Sequence, residues 1–199
     1  MTAPGRPSWF APLRRRARWL RRLPDRLLHP LRRRRAARRL LATGSLESVL
    51  VICHGNICRS PFAAAVLRRG LAASGRADVR VDSAGFIGPG RAPPATALEA
   101  AAARGYDLAS HASRLVAEDE LPGYDLILVM DRRQRRRLTR PLHPGPPVLL
   151  LGDFDPAPIP TRTIPDPVNG SPELFATVYT RIERCLGSLL GLLPQNTDT

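Results

Sequence analysis

The sequence predicts an α/β protein, a three-layer sandwich around a four-stranded parallel sheet. Two observations carry that prediction. From residue 45 onward, short apolar runs alternate with Ala-, Leu- and Arg-rich stretches of helical length. Strands that alternate with helices pair in parallel and are covered on both faces. Two of these runs, Val49–Cys53 and Asp125–Met130, read as strands buried on both faces.

The elements follow in chain order. Residues 1–44 are Arg-rich, with prolines at 4, 7, 12, 24 and 30 and with Trp9, Trp19 and several leucines among the charges. Short helices fit between the prolines, yet none buries a core alone. Residues 1–44 are therefore read as an extension, flexible or in short helices, and 45–199 as the folded domain. Val49–Cys53 reads as a buried strand. Pro61–Ala73 reads as a helix, with Pro61 where a first turn tolerates it. Val79–Ser83 is the second strand, and Pro94–Arg104 a helix that stops at Gly105. Asp125–Met130 is the third strand, followed by a basic helix over Arg132–Thr139. Val148–Leu151 is the fourth strand. A Pro-rich loop covers Gly152–Gly170, and Ser171-Pro172-Glu173 caps a last amphipathic helix ending near Leu193. In open sheets of this kind ligands bind at the carboxyl ends of the strands.

The net charge of +14 is unevenly placed. Residues 1–44 hold 14 arginines and one acid, Asp25; residues 45–199 hold 17 arginines and 16 acids. Lysine is absent, which reads as coding bias. Three cysteines, Cys53, Cys58 and Cys185, argue against a disulfide scaffold and for a reducing compartment. No apolar run is long enough to span a membrane, and the N-terminus lacks the apolar stretch of a secretory signal. A cytoplasmic location is expected, membrane-associated if residues 1–44 bind lipid. No metal-ligand spacing is visible among His29, His54, His111 and His143, so neither metal nor cofactor is expected.

The chemistry concentrates where the first strand runs into Cys53-His54-Gly55-Asn56-Ile57-Cys58-Arg59-Ser60-Pro61. A tight loop before a helix N-terminus turns backbone N–H groups inward, and the helix dipole adds positive potential there. Gly55 is read as the residue whose backbone conformation a side chain would penalise. Arg59 can grip two oxygens of an anion, and Cys53 lies beneath it. Oriented N–H groups and an arginine favour the thiolate, the nucleophilic form. Ser60 can donate a further hydrogen bond to that sulfur. This is a phosphate-binding loop with a nucleophile at its base.

The stretch Val51–Pro61 resembles the signature of the low-molecular-weight protein tyrosine phosphatase family. The resemblance extends over Ser48–Leu193, through Ser83-Ala84-Gly85, Asp107–Arg114, Tyr124–Asp131 and Ile164-Pro165-Asp166-Pro167 in order. It implies that 45–199 is a catalytic domain hydrolysing phosphomonoesters through a phosphocysteine on Cys53. It also implies a phosphorylated protein as substrate, phosphotyrosine favoured. Asp166 is implied as general acid and base; on chemistry alone Asp153 and Asp155, in the same loop, are rivals. The loop residues His54, Gly55, Asn56, Ile57, Cys58 and Ser60 would bind phosphate, and Asn56, Ser83 and His111 would hold the loop's shape. Cys58 would pair reversibly with Cys53 on oxidation, while Cys185 reads as core.

The sequence departs from the family at the site's walls. Val168 and Asn169 stand where tyrosines usually follow Asp-Pro, and Phe86 and Ile87 follow Ser-Ala-Gly. Two activities of the same fold are alternatives. A phosphoarginine phosphatase would carry Thr where Ile57 stands, and an arsenate reductase needs further cysteines that Ala84–Arg184 lacks. A non-enzymatic reading is a phosphate-binding module with a basic tail. Anionic membrane or nucleic acid are the partners that charge suits, against a merely solvated extension.

Overall fold

The computed structural model describes residues 24–139 and 145–194. Four strands form one parallel sheet in the order β2-β1-β3-β4: β1 Ser48–Cys53, β2 Arg80–Gly85, β3 Leu126–Val129 and β4 Val148–Leu150. Every residue of β1, β3 and β4 is buried, as the unbroken apolar runs predict. The side chains divide by face. Val49, Val51, Leu128 and Leu149 point into the larger core, and Leu50, Ile52, Ile127, Val129 and Leu150 into the smaller one. A helical layer covers each face, giving the three-layer sandwich.

Among the described residues, the named α-helices around the sheet are, in chain order, α1 His29–Leu41, α2 Arg59–Ala73, α3 Ala95–Ala102, α4 Arg132–Thr139 and α5 Pro172–Leu190. Helix α2 packs on α5, where Phe62 stacks flat on Tyr179 at a 3.8 Å ring separation. Leu138 of α4 belongs to the smaller core, on the opposite face. Ser171 caps α5 by accepting from the Leu174 N–H, with Pro172 in the first turn. Helix α3 ends as the glycine signal requires: Gly105, at φ +73°, donates back to Ala102.

Element limits differ from the expectations by one to three residues at most ends. Strand β2 runs two residues further, to Gly85, because Gly85 pairs with Cys53 and bridges to Leu115. The last helix ends at Leu190, followed by turns.

Of the Arg-rich extension, residues 24–44 are described, and α1 is seated on the domain. His29, Ala36 and Leu40 are buried. His29 Nε2 donates to the Asp155 carbonyl at 2.8 Å, and Arg33 donates to Ser188 at 3.0 Å. Pro30 lies in the first turn, where its missing N–H costs nothing.

Candidate active site

Three elements meet at the carboxyl edge of the sheet: the turn from β1 to α2, the end of β2, and the Pro-rich loop before α5. Cys53 closes β1 with its side chain buried. Its sulfur accepts from the Asn56 N–H at 3.2 Å and from Ser60 Oγ at 3.0 Å. Both bonds strengthen when the sulfur carries negative charge.

Asn56 holds the loop. It is fully buried and has φ +51°, one of two non-glycine residues in the left-handed region among those described. Its Nδ2 donates to Ser60 Oγ and Ser83 Oγ, both at 2.9 Å, and its Oδ1 accepts from the Arg114 N–H at 2.9 Å. His111 Nε2 donates to the Asn56 carbonyl at 2.7 Å, since a carbonyl can only accept. With the Cys53 sulfur that accepts from its N–H, five groups from three segments over-determine one strained residue.

The strained residue is Asn56 and not Gly55, which corrects the expectation for this loop. Gly55 does not adopt positive φ, and its missing side chain matters for space instead. A Cβ there would lie 3.1 Å from the Arg91 guanidinium, which reaches in to donate to the Gly55 carbonyl at 2.9 Å. Gly85, at the end of β2, is needed for the same reason. A Cβ on it would meet the Asn56 nitrogen at 2.8 Å.

Arg59 opens α2 and is buried. It donates to the Ile164 carbonyl at 3.1 Å and pairs with the Asp166 carboxylate. Its Nε has no hydrogen-bond partner among the described residues. Asp166 is the acid that reaches this loop. The rival Asp153 is buried in a two-bond pair with Arg162, at 2.6 and 2.5 Å. The rival Asp155 is fully buried between Arg181 and Arg184. Neither touches Cys53 or Arg59.

Two cavities flank the loop that holds Cys53. One, of about 90 Å³, is lined by Cys53, His54, Ile57, Ile87 and Val168 among others. Its wall is aliphatic where the family's usual pattern is aromatic. The other, of about 420 Å³, continues from Arg59, His54 and Asp166 to Phe86, Arg133 and Arg137. Arg137 lies over the Phe86 ring, 4.4 Å from its centroid.

Cys58 sits in the loop behind Cys53. Burial, with the nearby charges of Asp166 and Cys53, pushes its thiol up to about 12, so it stays protonated at neutral pH. Its carbonyl accepts from the Tyr179 hydroxyl at 3.2 Å. Cys185 is fully buried in the core, and burial likewise pushes its thiol up to about 12.

Sequence reasoning passed over Arg91, Tyr179 and the clamp on the Pro-rich loop. In that clamp, Arg181 donates to the Thr161 and Thr163 carbonyls at 2.7 and 2.9 Å. The only signal for Arg91 was the Gly88-Pro89-Gly90 turn before it.

A parallel α/β sheet whose first strand ends in a cysteine that accepts from a loop N–H, with a buried arginine opening the next helix, defines a cysteine-based phosphatase. Residues 48–198 match the model of the family described as low molecular weight phosphotyrosine protein phosphatase, and the chain belongs to that family. The low molecular weight protein-tyrosine-phosphatase Wzb of Escherichia coli K12 is 39% identical over 143 residues, 69% of this chain and 89% of that protein. The human low molecular weight phosphotyrosine protein phosphatase is 33% identical over 157 residues, covering 75% of this chain and 98% of its own length. Among solved structures, the tyrosine phosphatase Wzb from Escherichia coli K30 in complex with phosphate matches with a TM-score of 0.63 and 29% identity. That match covers 77% of this chain and 97% of the other.

Proposed function

We propose that the chain removes phosphate from tyrosine residues of proteins through a phosphocysteine on Cys53. The carrying observation is the convergence on one loop of Cys53, whose sulfur accepts from the Asn56 N–H and Ser60 Oγ, with Arg59 and its partner Asp166. The Cys53 thiolate attacks phosphorus, and the P–O bond to the substrate breaks with its electron pair going to the leaving oxygen. Asp166 delivers the proton that oxygen needs. Asp166, now ionised, then takes a proton from water as its oxygen attacks the phosphocysteine. The P–S bond breaks, restoring the thiolate and releasing inorganic phosphate.

Arg59 orders these steps. Its guanidinium holds Asp166 and Ile164 while its Nε has no partner among the described residues. A phosphate dianion competes for the same guanidinium with a stronger bidentate grip. Binding substrate therefore frees Asp166 from Arg59 to face the leaving oxygen. His54, Gly55, Asn56, Ile57, Cys58 and Ser60 surround the phosphate, with Ser83 and His111 supporting Asn56. The partner is a phosphorylated protein, and phosphotyrosine is favoured because Ile57 stands where a phosphoarginine phosphatase would carry Thr. Arg133 and Arg137 beyond the ring suit an acidic flank on that protein.

The basic tail is assigned to an anionic surface, membrane before nucleic acid, with the enzyme in the cytoplasm. Among the described residues no helix is long and apolar enough to cross a membrane. Leu27 and Leu31 are exposed and are followed by the exposed Arg34 and Arg38, a mix of apolar and basic residues suited to a lipid interface. Profiling the purified full chain against phosphotyrosine, phosphoserine and phosphoarginine peptides tests the substrate. Preference for phosphotyrosine is expected; preference for phosphoarginine would overturn that assignment while leaving the cysteine chemistry intact.

A further inference from the structure

Away from the catalytic loop, α1 closes a cavity of about 190 Å³ against the domain. Its charged walls are Arg32, Arg35 and Arg39 from α1, Arg135 from α4, and Asp153 with Arg162 from the turn and loop after β4. None of Cys53, Arg59 or Asp166 lines it. Arg32, Arg35 and Arg39 fall three and four residues apart, so they lie along one stripe of the helix.

The charges inside do not balance. Asp153 is the single acid among the lining residues, and Arg162 occupies both its oxygens. Arg32 is paired with Asp25 at 2.6 Å. Arg35, Arg39 and Arg135 have no carboxylate within ion-pair distance among the described residues. Burial first, and then the neighbouring Arg162, Arg39 and Arg132 charges against the opposing Asp153, pull the Arg135 guanidinium below its ordinary range. Cations gathered on facing walls repel one another across a partly desolvated gap. The arrangement is stabilised when a multivalent anion enters, and guanidinium forks match phosphate oxygens in pairs.

We infer that the cavity between α1 and the β4 edge is a second phosphate site, binding a compound with a phosphate monoester or diphosphate group. It stands independently of the catalytic assignment. Two sources supply that chemistry, a soluble phosphate compound or the headgroup of an anionic lipid. Ala36 and Leu149 are the apolar residues of the cavity's lining.

The test uses the full chain and methylenediphosphonate, a diphosphate analogue that phosphatases do not cleave. Calorimetry at low salt should find two sites. One coincides with competitive inhibition of aryl phosphate hydrolysis. The other should weaken by about tenfold or more in an Arg39→Gln, Arg135→Gln double variant, with turnover and the inhibition constant unchanged. Should that variant melt early, Arg39→Lys with Arg135→Lys keeps the charge but loses the paired hydrogen bonds, and the same loss is expected.

Phosphatidylcholine vesicles carrying phosphatidate distinguish the sources. Pelleting that the double variant loses and methylenediphosphonate competes away assigns a lipid headgroup. Soluble binding without pelleting assigns a free phosphate compound. A single calorimetric site in the wild type, a second site untouched by both double variants, or pelleting indifferent to methylenediphosphonate would each overturn the inference.

Discussion

Exchanging the Cys53 sulfur for oxygen disturbs the loop least and its chemistry most. Cys53→Ser should abolish turnover of an aryl phosphate such as p-nitrophenyl phosphate while circular dichroism shows an unchanged melt. Retention of about a tenth of the rate would remove the nucleophile assignment, since serine at this position lacks a base. Asp166→Ala should lower the rate by ~10²–10⁴, and less for good leaving groups, which need little protonation. A loss independent of leaving-group basicity would argue against the acid role. Mild peroxide should oxidise Cys53 to a sulfenic acid, which the neighbouring Cys58 thiol condenses with, releasing water and forming a disulfide. Thiols should then restore activity in the wild type but poorly in Cys58→Ser; a mass-mapped Cys53–Cys185 link would overturn this. At this scale spacing disclosed much. The Cys-x5-Arg interval named two of the residues that meet, and the family resemblance named the third, Asp166, over Asp153 and Asp155. Arg91 and Tyr179 were invisible because they act on backbone carbonyls, and a side chain reaching a carbonyl leaves no pattern in sequence. Gly55 was misread because glycine serves both unusual φ and close approach, and sequence does not separate the two.

Strands β1, β3 and β4 were legible as elements because each is buried on both faces and therefore reads as an unbroken apolar run. Helix α1 was not, because its buried stripe is His29, Ala36 and Leu40 while Leu27, Leu28, Leu31 and Leu41 face outward. Its apolar residues do not mark the face that packs. Two elements make predictions of their own. Asp155 joins the Pro-rich loop to α5 through Arg181 and Arg184. Burial alone would raise its carboxyl. The hydrogen bonds from Arg184 and the Ala157 N–H, with the Arg184 and Arg181 charges, outweigh this and hold it below its ordinary 3.8. A depressed carboxylate contributes stability that is present above 3.8 and is lost as pH falls through the lower folded value. Wild-type stability should therefore fall on acidification below about pH 4. Asp155→Asn should be less stable at neutral pH and show a flatter acid limb. A wild-type-like acid limb in that variant would assign the pH dependence to other carboxylates. On α4, Arg133→Glu with Arg137→Glu should raise KM for an acidic phosphotyrosine peptide by about tenfold while leaving a small aryl phosphate unaffected. Equal effects on both would mean the helix shapes the catalytic loop instead.

For the whole molecule, the question is where the folded unit begins. Composition placed the division at residue 44, since nearly all the net charge lies before it. The packing of α1 places a helix of that extension against the domain, so two truncations should behave differently. Removing residues 1–23 takes nothing that the described contacts use, and melting temperature and turnover should stay at wild-type values. Removing residues 1–44 also strips Leu40 and Ala36 from the core and leaves the Asp155 carbonyl without its His29 donor. Burial of one leucine is worth about 1.5–3 kcal/mol. With the lost hydrogen bond, the melting temperature should fall on the order of 5–15 °C. The rate on a small aryl phosphate, measured well below that melt, should stay within about a factor of two of wild type. The reason is that Arg181 and the Ile164–Met130 backbone bond hold the acid loop without α1. An unchanged melt would mean that α1 leaves the domain in solution. A much larger fall in rate would mean that α1 positions Asp166 through Asp155 and Arg162, and the extension would then belong to the catalytic unit itself.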